Sequence, residues 1–247
     1  MRALSAELSK LASLPSIWLA FLIGIFGSAT IAILDSLSEK DDIIAGVSTR
    51  LSEIGYIGLA FGIPGVIIIG VIAVSSEYFT ESSESGGGQQ LTTSLTAVSS
   101  RIHFLFAKAG AVTVVSLLLS IIALITTMGA TYLTLGEYAP AIEISRYIGV
   151  ICNWIFTALL AFGITVLTKN GIIPLTILIL NASVVTVSYL LSNITKLGFY
   201  LPDSAGRDMF MGDGYFSPFV GGLIMFTWVA VLFILATIVF YRRDVAS

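Results

Sequence analysis

The chain has 247 residues, 56% of them hydrophobic and only 11% charged, with a mean hydropathy of +0.99 and a formal net charge of −3. Those proportions belong to integral membrane proteins rather than soluble domains. Six windows contain no Asp, Glu, Lys or Arg: Leu11–Leu34, Ile54–Ser76, Ala109–Gly136, Tyr147–Thr168, Asn170–Thr195 and Gly214–Tyr241. Each is long enough for a helix that needs ~20 residues to cross the hydrocarbon. Together they take up 151 of the 247 residues, which leaves little for a soluble domain. The runs are continuous and lack period-two alternation, so helices are expected and a barrel is not. The predicted fold is an all-α, polytopic, single membrane domain. Its six spans are placed at about 16–34, 55–75, 109–135, 147–168, 171–192 and 219–241, with an interfacial helix over 1–14.

In Met1–Leu14, Leu4, Leu8 and Leu11 recur at helical spacing, away from Arg2, Glu7 and Lys10. This pattern predicts a short helix in the membrane interface, and Pro15 then suits the start of the next helix. Glu7 argues against a signal peptide. The loop Leu34–Glu53 carries Asp35, Glu39, Asp41, Asp42 and Glu53 without spacing that fixes a metal, so it reads as a solvated acidic loop.

The second span holds Gly58 and Gly62, a pair that permits close helix approach, and Pro64, which removes a backbone donor and predicts a kink. Both a bend beside a pathway and tight packing fit these residues. The stretch from Ser75 to Lys108 is the longest polar interruption. Within it Leu91, Leu95 and Val98 share one helical face, a form that a soluble partner can grip.

No span carries a charge at its centre, which disfavours a carrier driven by protons or ions. Asn153 and Asn181 either line a cavity or hydrogen-bond between helices. Tyr189 is a further buried polar candidate. The segment Lys196–Val220 is rich in aromatic residues, including Phe210 and Phe216. It is read either as an interface anchor or as a stretch dipping into the membrane to meet amphiphilic cargo. The candidate pathway residues are therefore Asn153, Asn181, Tyr189, Phe210 and Phe216.

The single Cys152 precludes an intrachain disulfide. Ser85-Gly86-Gly87-Gly88-Gln89 lacks the lysine of a phosphate loop and reads as a flexible linker. His103 is the only histidine. No catalytic or metal-binding constellation is found, so no enzyme activity is expected of this chain. Nucleic acid is not an expected partner.

Six spans place both termini on one side. That side would carry Arg2, Lys10, Arg101, Lys108, Lys169, Arg242 and Arg243 against Lys40, Arg50, Arg146, Lys196 and Arg207 on the other. Seven basic residues against five favour cytoplasmic termini. Acidic residues divide five to ten in the opposite sense.

Glu77-Tyr78, Leu91-Thr92-Thr93-Ser94-Leu95-Thr96-Ala97-Val98, Arg101 and Ala107-Lys108 together resemble the permease subunits of type-2 exporters among ABC transporters, actinobacterial members especially. Glu7, Lys10-Leu11, Leu14-Pro15-Ser16 and Trp18 are similar to the N-terminal helix of that family. Two features depart from the pattern: Ser99-Ser100 stands where a proline usually precedes the arginine, and Glu81–Gly88 is extra length.

The resemblance implies a cytoplasmic coupling loop over 76–108 with a coupling helix. Glu77, Tyr78, Leu91, Leu95, Val98, Arg101 and Lys108 would dock a separate ATPase. It further implies two ATPase subunits that hold ATP and Mg, a second permease chain, identical or homologous, and a place among the lipids of the bacterial cytoplasmic membrane. The implied cargo is amphiphilic: an antibiotic, a lantibiotic-type peptide or a lipid-like molecule. An ATP-independent carrier or channel and a peptide-sensing or immunity protein stand as alternatives.

Overall fold

The computed structural model describes residues 2–77, 101–182 and 186–242, and no strand occurs among them. Five helices are long and apolar enough to cross a membrane: Pro15–Ile44, Tyr56–Ser75, Ile102–Tyr138, Ile144–Thr168 and Pro218–Val239. The predicted span 171–192 is not a sixth continuous helix. It consists of Ile172–Asn181 and Val187–Ser192, with Ala182 a turn after the first. The Thr186 hydroxyl caps the second piece by accepting from the Tyr189 N–H. Asn181 Oδ1 accepts from the Val187 N–H across the break. These side chains offer the backbone local partners that compete with a continuous helix.

We label the helices α1 (Arg2–Ser13), α2 (Pro15–Leu22), α3 (Ser28–Ile44), α4 (Tyr56–Phe61), α5 (Ile63–Ser75), α6 (Arg101–Leu135), α7 (Ile144–Thr168), α8 (Ile172–Asn181), α9 (Val187–Ser192), α10 (Pro202–Asp208) and α11 (Pro218–Arg242). A π-helical turn, Ile23–Gly27, joins α2 to α3.

Helix α1 packs directly on the bundle. Leu11 is buried, Leu4 and Leu8 pack against the main core, and Leu4 sits over Gly110 of α6. The first span continues ten residues past its predicted end, so Asp35–Asp42 is helical rather than loop. Arg50 folds back to pair with Asp35 and Glu39, which stand one turn apart on α3. Similarly, α6 begins eight residues before the predicted third span. Its 35 residues reach ~52 Å, more than the ~30 Å that crossing the hydrocarbon requires.

The predicted kink in the second span falls at Gly62, between α4 and α5, and Pro64 occupies the first turn of α5, where its missing N–H costs nothing. The two glycines also answer to packing. A Cβ on Gly58 would lie 2.5 Å from the Ser28 carbonyl, and one on Gly62 2.7 Å from the Trp154 ring. Further along, α5 crosses α7 so closely that a Cβ on Gly70 would stand 2.2 Å from the Ala158 carbonyl oxygen. Gly70→Ala is therefore expected to lower stability by ~1–3 kcal/mol, read as a drop in thermal unfolding temperature in nanodiscs. An unchanged midpoint would mean that the crossing has slack.

The helices define two ends. At one, α1 meets α6 near Lys108, Gly171 abuts Ser75, and Phe106 packs edge-on against Phe233 of α11 at 5.1 Å. Helix α1 and the later turns of α11 therefore lie toward the same end, called here the α1 end. At the far end sit the loops around Glu53, Arg146 and Asp203.

Candidate functional site: a cavity at the far end and a charge cluster at the other

A cavity of about 780 Å³ opens between α4, α5, α7, the broken α8–α9 pair and α10. Its size falls within the ~300–1,000 Å³ usual for small-molecule sites. From the mouth beside Glu53 it runs down to Ile67 and Leu178. Tyr56 to Ile67 is ~16 Å of helix, about half the ~30 Å hydrocarbon thickness.

Three of the predicted pathway residues, Asn153, Asn181 and Tyr189, line this cavity, and two do not. Phe210 is fully buried in the main core, because its backbone is drawn inward by Arg146. Phe216 is half-buried in an aromatic stack, edge-on to Tyr200 at 5.0 Å and to Tyr215 at 4.9 Å. The segment 196–220 is accordingly a folded cap with its own helix, α10; Ala205 on that helix and Met209 and Phe210 just after it are buried.

Arg146 holds the mouth together. It is 6% exposed and its fork is fully used. Nε donates to the Phe210 carbonyl at 2.6 Å, Nη1 to the Ser52 carbonyl at 2.6 Å, and Nη2 to Glu53 Oε2 at 2.9 Å. Its guanidinium also lies 3.7 Å from the centre of the Tyr56 ring, a cation–π contact. Glu53 in turn accepts from the Gly212 N–H at 3.1 Å. One side chain thus ties the loop before α4, the first turn of α7 and the turn after α10. Neither Arg146 nor Glu53 was among the residues singled out in the sequence as functional. They lie 93 positions apart, and each reads locally as an ordinary loop charge.

Asp208 closes the neighbouring turn. It is 6% exposed and accepts from the Phe216 N–H at 2.9 Å. Burial raises its carboxyl above the ordinary aspartate value, more than the N–H groups of Phe216 and Tyr215 and the nearby Arg207 lower it.

The α1 end carries the second arrangement. Glu77 and Lys108 are 3% and 4% exposed and pair at 2.7 Å. Lys108 also pairs with Glu7 at 2.8 Å and donates to the Ala73 carbonyl at 3.2 Å, while Lys10 pairs with Glu77. Two acids and two bases sum to zero, which suits burial near apolar surface. Burial alone would raise the Glu77 carboxyl, but Lys108 and Lys10 outweigh it and hold it below its ordinary value.

The cluster joins α1 to the last turn of α5 and the second turn of α6, the two stems of the segment 78–100. Of the residues expected to meet an ATPase, Glu77 and Lys108 are thus turned inward against α1. Tyr78, Leu91, Leu95 and Val98 lie outside the described residues, and Arg101 is described only as the start of α6.

No family model, curated protein or solved structure matches this chain.

Proposed function

We propose that this chain is the membrane-spanning subunit of an ATP-driven ABC exporter of the type-2 kind, moved by a separate ATPase that docks on 77–108. The observation that carries this reading is the buried cluster of Glu7, Lys10, Glu77 and Lys108. It fixes both stems of the polar segment to α1, so a push on that segment is delivered to α1, α5 and α6 together. In this reading α8 and α9 form the sixth crossing, broken near its middle. Both termini then face the cytoplasm, in keeping with the seven-to-five division of basic residues. The cavity is the cargo site for an amphiphile, and a second permease chain completes the pathway.

The test is affinity purification of the tagged full chain from its native membranes with ATP and vanadate. A P-loop ATPase is expected to copurify at two copies per complex, and to be lost in Leu95→Asp while the permease stays folded. Retention of the ATPase in that variant, or flux by the purified chain alone under an ion gradient, would overturn the proposal. A second reading, a peptide-sensing or immunity protein, is favoured by the half-depth cavity. It predicts cargo binding with no associated ATPase.

A further inference from the structure

The mouth of the cavity is lined by five charged residues: Arg50, Glu53, Asp203, Arg207 and Asp213. Two are already committed. Arg50 is held by Asp35 and Glu39, and Glu53 by Arg146 and the Gly212 N–H. Among the described residues, Asp203 accepts from the Ser188 hydroxyl alone. The side chains of Arg207 and Asp213 make no ion pair or hydrogen bond among the described residues. The uncommitted charge at the mouth is therefore two carboxylates against one guanidinium. In the six-span topology the same side carries ten acidic residues against five basic ones. Such a surface draws cations toward a concave opening and repels anions.

Deeper in, the walls turn apolar at Ile57, Phe61, Ile63, Ile67, Leu178 and Met225. One polar group interrupts them. Asn153 is 2% exposed and lines the cavity. Its Oδ1 is only 3.5 Å from the Thr157 hydroxyl, and no hydrogen bond engages its amide nitrogen among the described residues. That nitrogen is not sealed from the cavity, so the amide offers an open donor on an otherwise apolar wall. It marks a place where a ligand's acceptor, such as an ester or amide carbonyl, would be held partway down.

We propose that the cavity binds a cationic amphiphile. Its positive head lies between Asp203 and Asp213 at the mouth, its apolar portion fills the channel toward Ile67, and a carbonyl near its middle accepts from Asn153. This rests on reading the cavity as a cargo site, and it is independent of whether an ATPase drives transport.

The test is binding to the full chain in phosphatidylcholine nanodiscs, with empty discs subtracted. Three fluorescent probes share one acyl-amide tail and end in trimethylammonium, phosphocholine or sulfonate. The cationic probe is expected to bind about tenfold more tightly than the sulfonate, with the gap narrowing at high salt. Asp203→Asn with Asp213→Asn should erase the preference. Arg207→Gln should enlarge it, a gain that a misfolded variant cannot mimic. Asn153→Leu should weaken all three probes alike. Equal binding of the three heads, or preference for the sulfonate, would overturn the charge assignment and leave the cargo site standing. Binding indifferent to Asn153→Leu for every probe would remove the cargo site as well.

Discussion

Glu77→Ala is expected to lower the stability of this protein by ~3–5 kcal/mol, the usual cost of removing one partner from a buried ion pair. The size follows from what remains. Lys108 has a side chain 5% exposed, and it would face the apolar junction of α1, α5 and α6 with one carboxylate, Glu7, and the Ala73 carbonyl beside it. Lys10 is less affected, because its side chain is 30% exposed and water can replace the lost carboxylate. Thermal unfolding in nanodiscs reads the effect. The double variant Glu77→Gln with Lys108→Met should recover part of the loss, since it removes a charge of each sign and keeps the cluster neutral, with Glu7 and Lys10 left three residues apart on α1. A Glu77→Ala protein melting within a degree of the parent would show that the cluster is not buried as described.

The same carboxyl sets a pH dependence. Its folded value lies below the ordinary one, so its contribution is fully present above the unfolded carboxylate value of about 4.5. It is lost as pH falls through the lower folded value. Asp208 acts in the opposite sense. Its folded value is raised above about 3.8, so its contribution is present below that pH and declines as pH rises through the folded value. Removing Asp208 with Asp208→Asn should therefore flatten the stability profile on the higher side, and Glu77→Gln should flatten it on the lower side.

Much of the membrane architecture was readable because lipid imposes it. A window without charge and longer than ~20 residues has few alternatives to a crossing helix, and five of the six windows form a helix long and apolar enough to be one. Window 170–195 holds two shorter helices, which hydropathy misses because it sums residues without asking what they do to the backbone. Asn181 and Thr186 offer hydrogen bonds that end one helix and cap another, and an average over the window hides them. Helix ends were also misplaced where charged residues are good helix formers. Asp35–Asp42 continues α3 because its charges pair along the helix and with Arg50, while a span read by hydropathy stops at the first charge. At the cavity, Asn153, Asn181 and Tyr189 stood out as polar residues in apolar surroundings. Arg146 and Glu53 did not, since their pairing is made by the fold. Phe210 misled for the converse reason: an aromatic residue near the interface reads the same whether it faces cargo or fills a core.

The far-end staple leads to the second large effect. Arg146→Ala is expected to lower stability by ~3–5 kcal/mol and to abolish probe binding in the cavity. The substitution strands the Glu53 carboxylate, whose side chain is 15% exposed, and leaves the Ser52 and Phe210 carbonyls without their donor. It also removes the cation from the face of Tyr56. Arg146→Lys keeps the charge but has a single ammonium, which cannot serve three acceptors held in a fork, so it should recover less than half of the loss. Glu53→Gln is milder, because an amide oxygen still accepts from Arg146 and Gly212. It should lower stability by only ~1–2 kcal/mol. The ordering Arg146→Ala, then Arg146→Lys, then Glu53→Gln distinguishes a multi-point staple from a simple ion pair. A simple pair would make the alanine and glutamine variants equally damaging. If Arg146→Ala melted early yet still bound the cationic probe with parental affinity, the staple would support the fold without shaping the mouth. Loss of binding in Arg146→Lys at a temperature where that variant is still fully folded ties the geometry of the opening to Arg146 itself.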